Sequence, residues 1–100
     1  MNEKRKQAER VKRQLNQTAA ERYADIKDDV AAILDLIGQE LDVHAKVAAA
    51  HPKNWGNVGD IASVRETLKD VLAVFLTGRL GTDTYRFIED HLESLREDKR

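Results

Sequence analysis

Apolar positions recur in alternating steps of three and four from Ala8 to Ala48, through Val11, Leu15, Ala19, Tyr23, Ile26, Val30, Ile33, Ile37, Leu41 and, in the same slot, His44. That rhythm places them on one side of an α-helix. A helix of roughly 45 residues is about 65 Å long, about twice the diameter of a compact domain of this size. Such a helix carries more apolar surface than the rest of its chain covers. Either it breaks, with Gly38 as the natural place, or its N-terminal half projects and meets another molecule. Glycine costs about 1 kcal/mol relative to alanine in a helix interior. The rhythm nevertheless keeps its phase across Gly38, so continuation or a mild kink is expected there.

Residues eleven apart also match, as in Ala8, Ala19, Val30 and Leu41, or Leu15, Ile26, Ile37 and Ala48. An eleven-residue repeat favours a nearly straight or faintly right-handed helix. A heptad counted from Ala8 fails at Arg22, Asp25 and Asp29, so no leucine zipper is predicted.

Pro52 disfavours helical geometry in the residue before it, which ends the first helix near Ala50 or His51. Residues 51–60, HPKNWGNVGD, contain the only Pro and the only Trp with two Gly and two Asn, and read as the one true loop. The second helix is expected to start between Asn57 and Ser63. Asn57, Asp60 and Ser63 compete as N-caps, and Ser63-Val-Arg-Glu66 fits a capping box. Its core face is predicted as Ile61, Val64, Leu68, Val71, Leu72 and Phe75. The run VLAVFL over residues 71–76 is apolar nearly all round, which implies more than one neighbour. Gly78 or Gly81 closes this helix. Thr82 then caps a third helix from about Asp83 to Glu97, with Tyr85, Ile88, Leu92 and Leu95 on one stripe, and the last residues fray.

The predicted fold is therefore all-α: a long N-terminal helix plus two shorter helices forming a small antiparallel three-helix bundle. Residues 1–22 are a basic helical extension of the first helix, 23–97 the bundle, and 98–100 a frayed tail.

Composition narrows the chemistry. Charged residues make up 35% of the chain, yet the net charge is only -1, so no global field draws it to nucleic acid or anionic membrane. Local charge is uneven: residues 1–22 hold seven Lys or Arg against three Glu, and residues 23–50 hold two Lys against six acids. The absence of cysteine removes disulfides, thiolate catalysis and cysteine-ligated zinc. The basic N-terminus lacks the apolar core of a signal peptide, and no stretch is apolar enough to span a bilayer, so a cytoplasmic protein is expected.

No nucleophile motif, phosphate loop or zinc-protease pattern is present, and no cofactor or metal is predicted. The nearest approach to a metal-dependent enzyme is His44, His51 and Asp60. Seven helical residues separate the two His by about 10 Å of rise, too far to share an ion unless the helix unwinds. His44 is expected as a partly buried apolar-face residue. Trp55 either anchors a partner from the loop or folds back to seal the bundle end.

Two functions are consistent with this pattern. The first is a non-enzymatic protein-protein interaction module that homodimerises through the long N-terminal helix, with Leu15, Tyr23, Ile26, Val30 and Trp55 as partner-binding residues. The alternative is a nucleic-acid-binding accessory protein whose Lys4, Arg5, Lys6, Arg10, Lys12 and Arg13 contact phosphates without reading sequence.

Overall fold

The computed structural model describes Lys6, Gln7 and residues 16–99. The fold is all-α, and no strand occurs among the described residues. Helix α1 runs Ala19–Ala50, α2 runs Trp55–Leu80, a 3₁₀ turn spans Gly81–Asp83, and α3 runs Thr84–Lys99. A long first helix and two shorter ones are thus present as the periodicity predicts. The chain divides into two units at Ala50, the first ending with α1 and the second comprising α2, the 3₁₀ turn and α3.

The predicted continuous helix from Ala8 through Ala48 fails at Gln17 and Thr18, which are not helical. Thr18 is a cap in a box of the form TAAE. Its hydroxyl oxygen accepts from the Glu21 amide at 3.2 Å, its own amide donates to the Glu21 carboxylate at 3.4 Å, and its hydroxyl donates to that carboxylate at 2.9 Å. These bonds satisfy amide donors that a helix start leaves without partners. Apolar phase alone does not sense such a stop, because the stripe resumes in register after it. Gly38, by contrast, lies inside α1 without a break, as the unbroken phase predicts.

The turn after α1 is shorter than predicted. It occupies residues 51–54, and α2 begins at Trp55 instead of between Asn57 and Ser63. Asn54 is the N-cap, its side chain accepting from the Gly56 amide at 2.9 Å. A Cβ on Gly56 would meet that carboxamide oxygen at 2.9 Å, so the cap geometry explains the glycine. Ser63 instead lies within α2, where its carbonyl accepts the Thr67 hydroxyl. Trp55 therefore sits on the first turn of a helix and not on a loop.

The second unit is a hairpin of α2 and α3. Its buried apolar residues are Ala73, Leu76 and Ile88, with Leu80 and Leu92 packed against them. The core face predicted for α2 is displaced: Ile61 and Leu68 are half-buried, while Val64, Val71, Leu72 and Phe75 are exposed. Because VLAVFL is apolar round most of its circumference, periodicity does not select which side meets α3. Ile88 and Leu92 of the predicted α3 stripe do pack inward, whereas Tyr85 and Leu95 stay about half exposed.

Closure of the hairpin rests on Gly81. Its φ of 54° lies where L side chains are strained, and its amide donates to the Thr77 carbonyl at the end of α2. Thr84, not Thr82, anchors the start of α3: it is 2% exposed and its hydroxyl donates to the Gly81 carbonyl at 2.7 Å. Gly78 lies within α2, with open space around the position of a Cβ. Gly81→Ala should destabilise the hairpin by about 1–3 kcal/mol, and Gly78→Ala should stabilise it by about 1 kcal/mol. Amide hydrogen exchange of α2 and α3 measures both, and equal effects of one sign would contradict this account.

Candidate interaction surface

An α-helix with an apolar stripe is stabilised mainly by what covers that stripe. Along α1 no residue is buried. Tyr23 is 69% exposed, Ile26 46% and Val30 38%, and Ile33, Leu34 and Leu41 are similarly open. Three of the predicted contact residues thus share one uncovered face of one helix, while Leu15 lies outside the described residues. At 100° per residue the stripe is joined on one flank by Leu36, Val43 and Val47, also exposed. Periodicity counted from Ala8 overlooks this second row.

A further signal escapes the eleven-residue reading. Four segments of α1 repeat at intervals of seven as acid, any residue, stripe residue, small residue: ERYA from Glu21, DDVA from Asp28, DLIG from Asp35 and DVHA from Asp42. Beside the stripe, Ala24, Ala31, Gly38 and Ala45 make a row without bulk, and beyond it Glu21, Asp28, Asp35 and Asp42 make an acidic row. A seven-residue apolar repeat is the period at which two helices stay in contact by supercoiling left-handedly.

Trp55 is 80% exposed on the first turn of α2. It is displayed and does not seal a core. The hairpin itself has two unlike edges. Along one, Lys69 pairs with Glu89, and the Tyr85 hydroxyl donates to Asp70 at 2.7 Å. On the opposite edge Leu72 and Phe87 are exposed, and Phe87 stacks on His91 with ring centroids 6.4 Å apart.

Of the basic residues proposed to meet phosphates, Lys6 is helical and exposed. Lys4, Arg5, Arg10, Lys12 and Arg13 lie outside the described residues. His44 is half-buried, as its place in the stripe implies, and its Nε2 has no hydrogen-bond partner among the described residues. His51 and Asp60 are exposed. Among the described residues no three His, Asp or Glu side chains converge as a metal ion requires, so the His44, His51 and Asp60 reading gains no geometry. Nor is any described helix long and apolar enough to cross a membrane.

The chain matches no protein-family model, no curated protein and no solved structure.

The polar edge of the hairpin titrates. The Glu89 carboxylate, as hydrogen-bond partner, holds the Lys69 ammonium above its ordinary value of 10.5, and the bond to Asp70 raises the Tyr85 phenol above 10.0. Hydrogen bonds from Arg65 and then Lys69 hold Glu66 below 4.5. Groups raised by folding stabilise the fold fully at pH below their unfolded values, and that contribution disappears as pH climbs through the raised ones; a lowered carboxylate works in the opposite sense. The stability contributed by these three groups should therefore be fully present between about pH 5 and 9, decline above about pH 10 and decline again below about pH 4.5. Thermal melts across pH check this, with Tyr85→Phe expected to lessen the alkaline decline. An unchanged alkaline limb in that variant would show that the phenol does not contribute.

Proposed function

We propose that this protein is a non-enzymatic helical interaction module that homodimerises through α1. The observation that carries the reading is the uncovered apolar face of a 32-residue helix. Covering a half-exposed aliphatic side chain contributes about 1 kcal/mol. Repeated over the stripe on two copies, this is comparable to the roughly 4–15 kcal/mol that association costs in lost freedom. A second copy is the simplest cover, because it brings the same stripe.

Tyr23, Ile26 and Val30 form the described part of the contact; Leu15, the fourth residue that the spacing assigns to it, lies outside the described residues. Trp55 acts as a separate anchor: a large aromatic on the first turn of a helix has few degrees of freedom to lose and much area to cover. The cytoplasm is the proposed compartment, since a chain without cysteine needs no oxidising environment.

Replacing Ile26 and Val30 together by Glu puts two charges on the stripe and leaves α2 and α3 untouched. The doubly substituted protein should run as a monomer by light scattering while its hairpin amides keep their exchange protection. A mass equal to that of the unsubstituted protein would count against the contact.

A further inference from the structure

We infer that two copies of α1 pair antiparallel, in a register that sets Val30 against the partner's Leu41 and Leu34 against the partner's Ile37. The inference rests on the proposed homodimer and specifies its geometry. Three observations carry it: the four-fold repeat of seven residues, the one lysine among its inward positions, and the distribution of bulk along the helix.

The repeat of seven makes a two-helix contact possible over the whole stripe. From Tyr23 to Ala48 that contact is about 38 Å long between helices about 10 Å across, and it covers on the order of 1,000 Å² in total, the lower limit of specific interfaces. In the proposed seam the inward positions alternate between Tyr23, Val30, Ile37 and His44 in one row and Ala20, Lys27, Leu34, Leu41 and Ala48 in the other, with Ile26 and Ile33 flanking the first row at the margin of the contact.

Lys27 decides the direction. In a parallel pair it faces the partner's Lys27 across the seam, two like charges beside an apolar contact. In the antiparallel register it faces the partner's His44. Next to it the partner's Ala45 leaves a gap through which the ammonium reaches the partner's Asp42, in the acidic row. The small row thus opens a path from an inward position to an opposite charge.

Bulk agrees with the same register. Tyr23, the largest residue of the seam, falls against the partner's Ala48, and medium-sized residues meet at the middle. In an antiparallel pair the two small rows lie on the same side of the contact, with Ala31 near the partner's Gly38. Gly38 has nothing within 4 Å of the position of a Cβ, so a second backbone can approach there. The acidic rows remain outside, where they stay hydrated.

The test uses the full chain, which has no native cysteine, so the introduced thiols are the only protein thiols that exchange with glutathione and with one another. A Val30→Cys protein and a Leu41→Cys protein are mixed in equal amounts and oxidised in a glutathione buffer, beside light scattering of the unsubstituted protein. The antiparallel register predicts the mixed disulfide at about tenfold or more over either self-linked product. Ala24→Cys mixed with Ala45→Cys leaves every large side chain of the seam in place and should likewise favour the mixed product. Self-linked Val30→Cys as the main product means a parallel pair and overturns the inference while leaving the dimer intact. A dimeric mass with no crosslink in either mixture overturns the register as well. A monomeric mass for the unsubstituted protein overturns the underlying dimer itself.

Discussion

The 32 residues of α1 carry apolar side chains along their whole length and bury none of them. An amphipathic helix holds its shape in water chiefly through the surface that its apolar side loses to a neighbour, since propensity alone leaves isolated helices marginal. Alanine, leucine, glutamate and lysine favour the helical backbone here, and the box of Thr18 and Glu21 fixes where it starts. Neither removes an isoleucine from water. The requirement for cover on α1 connects its sequence to the proposed association with a second copy, which would bring the same stripe.

The hairpin is held on different terms. Three apolar residues make its buried centre, Leu76 and Ile88 worth about 1.5–3 kcal/mol each and the methyl of Ala73 about 0.8 kcal/mol. Its geometry depends heavily on local chemistry: the positive φ at Gly81, the buried hydroxyl of Thr84 and the polar edge where Lys69 meets Glu89 and Tyr85 meets Asp70. A small core with a polar clasp on one edge leaves the other edge apolar and open. Trp55, at the far end of α2, adds a large exposed ring to a unit that buries few of its own. The hairpin thus presents apolar contacts of its own.

The all-α class, the long first helix, its end before Pro52 and its passage through Gly38 were legible from periodicity and from proline sterics. What escaped was decided by groups that hydropathy does not weigh. Thr18 starts α1 with a hydroxyl, and Asn54 starts α2 with a carboxamide, ahead of Asn57, Asp60 and Ser63, the caps expected there. The inward face of α2 was illegible for another reason, since a segment apolar on every side offers α3 several equivalent faces. Ala73 and Leu76 are selected by the turn at Gly81 and by the partners Lys69 and Asp70, which only the folded hairpin brings into line. In α1, the common exposed face of Tyr23, Ile26 and Val30 was legible from their spacing, whereas the small and acidic rows required a heptad phase other than the one that begins at Ala8.

Light scattering of the untagged protein during size-exclusion chromatography, over a range of loading concentrations, addresses the association of α1 most directly. Homodimerisation through the uncovered stripe predicts a mass of twice 11.4 kDa with an absorbance spectrum of protein alone. A mass of 11.4 kDa at every concentration would contradict it.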